Sequence, residues 1–453
     1  MDEKTMASRL ADWVIELDFD QLPPRAVAVA RLLVLDQLGL QLRGATLPNT
    51  QPQRRLVAAM HAAQQSTVVL GGTRTVAPYA AYVNGTMACS CEFDDMHMYA
   101  SHVGSYVVPA ALAFAESTGA SGREVITAVV AGAQVMSLLG ATTIRNMIRD
   151  GWHGAKVVGI FGAAAAAGKL LSLTAEQLAN AFGVAGSDAS GTMEYEHGGG
   201  EVKRMHAGSA GRSGSQAALL AKDGLTGPLT IMEGTRGLLR LFGDTQDEPP
   251  AELWDHFHII DTMFRMYPAI GSAAPALDAV RHLREHHDLP WRDAREIRLG
   301  LPAFAVAHGA TVTRPTDAVS AQFSTAFSVA LMLVRGKIRP EDYTNSRLWT
   351  DHDLLSVIDK IVPYPKVFEP EQPVLSCQLD VTLRDGRMLS HCQRGFRGYP
   401  SNPETSDRDF ETKFLANVEG ILSPAVAQRM IELTGELDRL DDIAELMLLT
   451  SGC

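Results

Sequence analysis

The sequence predicts a mainly α fold with a smaller α+β domain set into it. Three observations carry this expectation. The chain has 453 residues, more than one hydrophobic core usually serves, and its 46% hydrophobic content is enough for two. Apolar residues recur at helical spacing from about 5 to 245 and again over 407–448. Between those regions, 296–301 and 374–383 alternate apolar and polar residues with the period of a strand. The expected division is 1–265 with 400–453 as the all-helical domain and 266–399 as the α+β domain.

Element by element, the stretches 125–140 and 162–171 are rich in Ala and Gly, which lets helices pack closely. Ser172-Leu173-Thr174-Ala175-Glu176-Gln177 places Thr174 as an N-cap with Gln177 three residues on, a capping box. The apolar stretch 157–168 lies between Lys156 and Lys169. It is shorter than the ~20 residues a bilayer span needs, so it reads as a buried helix. The acidic, proline-bearing stretch 244–250 closes the helical region. Beyond it, 296–301 is a strand and 321–336 an apolar helix. The 374–383 strand runs to Asp385-Gly386, which predicts a hairpin with a type I′ turn. After a loop over 398–406, the charged helical segment 407–448 packs most economically on the helical domain.

Composition excludes several functions. A net charge of −12 with no long basic run argues against nucleic-acid binding, which needs clustered Lys and Arg to displace counterions. Five cysteines, Cys89, Cys91, Cys377, Cys392 and Cys453, show no Cys-x-x-Cys pair, so neither a disulfide framework nor a zinc ribbon is expected. Met1-Asp2-Glu3-Lys4 opens with acids and has no signal-peptide core, which fits a cytoplasmic protein without a membrane role. There is no Walker loop, nucleophile elbow or dinucleotide fingerprint, so no nucleotide cofactor is expected.

Candidate chemistry gathers in a few places. Gly198-Gly199-Gly200 leads to Lys203, Arg204 and His206, positive charge on a glycine-rich loop in an acidic chain. That pattern suits a small anion, with Lys203 meeting a carboxylate or an enolate. Solvated surface charges would have the same composition. Glu92, Asp94, Asp95, His97 and His102 lie within eleven residues, just before an apolar helix. Carboxylates beside imidazoles serve acid-base catalysis, and they also serve as helix caps. Their spacing fits no strong metal signature. His153 precedes an Ala-rich helix, whose positive end favours a neutral imidazole and therefore a base. Glu194 and His197 are further candidates.

Taken together, these blocks resemble the MmgE/PrpD family. The resemblance runs through Asn84-Gly85, Glu92-Phe93-Asp94-Asp95, His102, Gly151-Trp152-His153 and Asn180-Ala181-Phe182-Gly183. Its most specific part is Lys203-x-x-His206-x-Gly208-x-Ala210, followed by Gly224-Leu225-Thr226-Gly227-Pro228. Tyr267-Pro268, Arg314-Pro315-Thr316, Asn402-Pro403 and Lys413-Phe414 extend it. The resemblance implies a helical domain made from both chain ends, a smaller α+β domain, a homodimer, and metal-free chemistry between domains. It places His102, His153 and Lys203 on active-site positions and Asp94 in the acidic motif. Glu92, Asp95, Met96, Lys203, Arg204, His206, Tyr267 and Ile270 are the expected substrate-binding set. Two departures stand out. The family's Asp-Phe-Asp-Asp-Thr reads Glu92-Phe93-Asp94-Asp95-Met96, and Tyr267-Pro268 is followed by Ala269-Ile270-Gly271 where the family commonly has Cys, Arg or His.

The function expected on this basis is a cofactor-independent lyase, a dehydratase or decarboxylase, working through a carbanion or enolate on a small anionic carboxylate. An isomerase or epimerase with two bases is the alternative. A catalytically degenerate metabolite-binding member is a third reading.

Overall fold

The computed structural model describes residues 4–245, 247–369, 373–400, 402–403 and 405–452, apart from the side chain of His197. The chain forms two compact units, Met1–Thr262 with Asp407–Cys453, and Met263–Ser406.

The larger unit is built from long, buried helices. Pro24–Gly44, Ala77–Cys89, Gly104–Thr118, Gly122–Arg149, Gly154–Leu170 and Val202–Lys222 form its centre. Thr174 caps the Ala175–Ala185 helix in the capping box read from the sequence, and Ser121 with Glu124 makes a second one at the start of Gly122–Arg149. Among the described residues, the Gly122–Arg149 helix is the one long and apolar enough to cross a bilayer, and 89% of its apolar window is buried inside the protein. The unit is not wholly helical. Ser66–Thr67 (β1) and Arg74–Thr75 (β2) pair as a short antiparallel ladder that helical periodicity does not reveal.

Glycines set how closely the central helices approach. A Cβ at Gly208 would stand 2.0 Å from the Tyr82 carbonyl oxygen, and one at Gly214 would stand 2.0 Å from the Ile160 carbonyl oxygen. The Val202–Lys222 helix is therefore seated against Ala77–Cys89 on one side and Gly154–Leu170 on the other, backbone to backbone.

The smaller unit carries a four-stranded sheet in the order β4-β3-β5-β6, with β3 at Ala294–Leu301, β4 at Ile361–Pro365, β5 at Cys377–Leu383 and β6 at Met388–Gln393. β4 runs parallel to β3, and the other pairs are antiparallel. The odd-numbered residues of β5 are buried, as alternation predicts, against a core that includes Leu277, Val280 and Phe327. Two local expectations are corrected. The β5–β6 connection is a three-residue loop in which Gly386 N–H donates to the Leu383 carbonyl and only Gly386 has positive φ (+89°). That is a type I turn with a following left-handed glycine, not type I′, which needs positive φ at two residues. The 321–336 helix is also broken. Ala318–Gln322 ends before Ser324, whose hydroxyl accepts from Phe327 N–H and caps Thr325–Arg335. Cys89, Cys91, Cys377 and Cys392 are free thiols; Cys453 lies outside the described residues.

Gly214→Ala should lower stability by about 1–3 kcal/mol, because the new methyl must displace backbone in a packed core. Gly435→Ala, also in a helix but with nothing within 4 Å of its Cβ position, should be neutral or slightly stabilising. Thermal melts of the two variants check this contrast.

Candidate active site

The glycine-rich segment places the charges differently from the sequence expectation. Gly199 and Gly200 do take positive φ (+71° and +91°), but Lys203, Arg204 and His206 lie on the first turns of the Val202–Lys222 helix, not on a loop. Lys203 and His206, three residues apart, share one helical face. Lys203 and Arg204 are buried, and both reach the buried carboxylate of Glu92: Lys203 Nζ is 2.5 Å and Arg204 Nη1 2.9 Å from Glu92 Oε2. Glu92 itself has a left-handed backbone (φ +50°), a conformation that costs a residue with a Cβ about 1–2 kcal/mol. The two cationic contacts offset that strain. The first partner of Lys203 is therefore a residue of this chain, and Arg204 Nε also lies 3.6 Å from the carboxylate of Glu201, so two cations face two carboxylates.

The acidic loop divides into separate tasks. Asp95 caps the Gly104–Thr118 helix: its carboxylate accepts from Val103 N–H at 2.7 Å and Gly104 N–H at 2.8 Å. Its burial and its neighbour Asp94 push its pKa up to about 7, against those two donors. Asp95, expected among the substrate-binding residues, is thus fully buried and engaged as a helix cap. Asp94 is likewise buried, accepts from Ser105 Oγ at 2.8 Å, and lies 3.6 Å from His102 Nδ1. Its negative charge therefore faces His102. His102 Nδ1 is 2.7 Å from the Asp95 carbonyl oxygen, which can only accept, so Nδ1 carries a proton. Met96 is half-buried beside them. The whole loop is fastened from the far end of the chain: Lys413 Nζ donates to the Phe93 carbonyl at 2.8 Å and pairs with Asp36 at 2.6 Å.

His153 is the N-cap residue of Gly154–Leu170, as its position in the sequence implies. Its ring Nδ1 lies 2.8 Å from Nδ1 of His206. The Tyr195 ring stands edge-on to both, with centroids 5.8 Å from each. Hydrogen bonds from His153 N–H to Gly191 and from Met193 N–H to Gly151, each 2.8 Å, hold the segment bearing Tyr195 against the start of the helix. His153 is neutral at neutral pH, although the main cause is not the helix dipole. Burial depresses its proton affinity most; a proton on His206 and the charges of Lys203 and His102 would act in the same direction, and Glu92 opposes them. Burial, Lys156 and Lys203 likewise bring His206 down to about 4. The four groups are thus within electrostatic reach of one another inside the larger unit.

Other candidates fall elsewhere. Tyr267 and Ile270 belong to the smaller unit and to its core. The Tyr267 hydroxyl donates to Asp278 at 2.7 Å and accepts from Arg397 at 3.0 Å, so it is committed within that unit. Glu194 is exposed, and the His197 side chain lies outside the described residues. His97, His258 and Asp261 bring ligand-type atoms within 4.8 Å of one another. Both ring nitrogens of His97 are nevertheless engaged, Nε2 with the His258 carbonyl and Nδ1 with the N–H groups of Tyr99 and Ala100, so His97 has no lone pair to give a metal. An open cavity of about 610 Å³ is lined by residues such as Gly183, Ser213, Leu220 and Pro228, and none of the candidate site residues borders it. Sequence reading missed Tyr195, Ser105, Asp36 and Lys413 as supporting groups. Only Lys413 left a trace, in the Lys413-Phe414 block of the resemblance.

A buried acidic loop under two cations, with paired imidazoles at the adjoining helix starts, is an arrangement for handling protons beside an anion. Residues 8–250 match the MmgE/PrpD N-terminal domain and 267–439 the MmgE/PrpD C-terminal domain, and the chain belongs to this family. It is 27% identical to the cis-aconitate decarboxylase-like protein oryM of Aspergillus oryzae, over 99% of this chain and 98% of that one. It is also 27% identical to cis-aconitate decarboxylase of Homo sapiens, over 99% and 95%, and 25% identical to that of Aspergillus terreus, over 85% and 81%. Two of these relatives are named cis-aconitate decarboxylase and the third decarboxylase-like, which supports a lyase-type function at the level of the family.

Acid should destabilise the fold in a definite window. His97 and His206, with pKa values held near 4, bind fewer protons folded than unfolded between about pH 4 and the ordinary histidine value of 6.5. Their contribution is therefore complete above 6.5 and lost as pH falls towards 4. Asp95, raised to about 7, acts with the opposite sign from 3.8 to 7. Melting temperature plotted against pH should have a shallower acid limb in His206→Gln and a steeper one in Asp95→Asn.

Proposed function

We propose that the protein is a cofactor-independent lyase that decarboxylates or dehydrates a small carboxylate through an enolate. The observation that carries this reading is a neutral, buried His153 within electrostatic reach of Lys203 and His102. Decarboxylation is the leading form, because relatives named cis-aconitate decarboxylase align over nearly the whole chain. When the carbon–carbon bond breaks, its electron pair stays on carbon as an enolate and carbon dioxide leaves. Lys203 meets that enolate in a buried site, where a fixed charge acts more strongly than in water. His102, with Asp94 to balance a positive charge, returns a proton to carbon through Nε2. In a dehydration His153 Nε2 instead takes the carbon-bound proton, and His102 protonates the departing hydroxyl.

One observation favours epimerisation as a second reading. Glu92 and Glu201 offset the cations Lys203 and Arg204, and Ala269 and Ile270 stand where the family commonly has ionic or thiol groups, so the site suits a substrate with fewer carboxylates than a tricarboxylate. We also propose a homodimer, for which light scattering should give twice the chain mass.

Incubation with cis-aconitate and a panel of di- and tricarboxylates in deuterium oxide should release carbon dioxide or water and place deuterium on carbon. Lys203→Met should lower turnover by about 10²–10³, and His153→Asn should abolish deuterium exchange while the circular dichroism spectrum is kept. Deuterium incorporation with inversion and no eliminated product would replace the lyase with the epimerase. No incorporation and no release from any of these substrates would sink both readings.

A further inference from the structure

Two imidazoles that meet through Nδ1 at 2.8 Å hold one proton between them. If both atoms were protonated they would repel, and if neither were, there would be no hydrogen bond. The rings are therefore opposite tautomers: one carries its proton on Nδ1 and has a lone pair at Nε2, the other has N–H at Nε2. Among the described residues, no protein group hydrogen-bonds to Nε2 of either ring. The contact is built to last. His206 lies on the Lys203 face of a helix seated by Gly208 and Gly214, His153 is fixed by its cap position, and Tyr195 stands edge-on to both rings at 81° and 72°.

We propose that His206 is a positioning residue that shares one proton with His153, keeping Nε2 of His153 bare at rest and accepting the Nδ1 proton when Nε2 is protonated. This rests on the reading of His153 as the base. In that step the substrate C–H bond breaks, its electron pair stays on carbon, and an N–H bond forms at His153 Nε2. The Nδ1 proton of His153 then passes to Nδ1 of His206, so His153 returns to neutrality and the cation resides on His206. The charged groups acting on His153 are Lys203, His102 and Glu92, the last opposing the other two, and those acting on His206 are Lys156 and Lys203.

Nitrogen-15 spectra of the full chain labelled at histidine test this directly, with His206→Phe and His153→Phe supplying the assignments. At neutral pH the expected pattern is two neutral rings, His153 with N–H at Nδ1 and His206 with N–H at Nε2. In His206→Phe, which keeps an aromatic ring against Tyr195, His153 should lose its single tautomer. Deuterium exchange should fall about 10–100-fold in kcat with KM little changed, the size of effect that orienting partners of functional histidines usually have. His206→Gln, whose carbonyl can accept the same proton, should restore the tautomer and most of the rate. Like tautomers in the two rings, His153 protonated at Nε2 at rest, or wild-type exchange in a folded His206→Phe variant would each overturn the proposal. Absence of turnover in the parent protein would sink only the lyase reading, because the tautomer pattern still decides the role of His206.

Discussion

The arrangement of the larger unit depends on one buried carboxylate. Glu92 is held in a left-handed conformation beneath Lys203 and Arg204, and neither cation has bulk water to fall back on. Leaving a buried charge unmatched costs about 3–5 kcal/mol, so the three side chains can be ordered only together. Because the cluster joins the loop after Ala77–Cys89 to the first turn of Val202–Lys222, it also fixes where the neighbouring helix starts lie. Lys203 has a second effect: its charge lowers the proton affinity of His153 and His206.

Precision at the imidazole pair comes from the helices that carry it. Gly132 and Gly162 face each other, so a Cβ at either would come within about 3 Å of the other's carbonyl oxygen, and a Cβ at Gly85 would stand 3.1 Å from the Gly208 backbone. Helices packed by backbone contact have few alternative spacings, whereas longer side chains at these crossings would offer several rotamers. The functional groups then project from helix starts, the stiffest places such a scaffold offers.

Most of this architecture was legible where one local rule decides the outcome. The Thr174–Gln177 box, the alternation of β5 and the cap position of His153 follow from residue type and spacing alone. Reading failed where the outcome depends on a distant partner. Glycines before Lys203 suggested a loop because propensity cannot see the tertiary packing that starts the helix at Val202. Asp95 looked like a ligand because a cap and a catalytic carboxylate have the same signature until the N–H groups they face are known. Ser324 divides a helix that apolar content alone would continue. The pairing of His153 with His206 could not be read from either motif, since spacing places each on its own helix and says nothing of the angle between them.

The Lys413 contact gives the chain an order of assembly. The loop bearing Glu92, Asp94 and Asp95 is fastened at Phe93 by a side chain 320 positions later, beyond the whole of the smaller unit. At roughly 5–20 residues per second, a ribosome needs on the order of half a minute to make the intervening length. Throughout that time Asp36 has no lysine to balance it and the acidic loop has no anchor. A nascent or truncated chain lacking its last helices would therefore carry the reactive groups without their final geometry, so activity becomes available only at the end of synthesis.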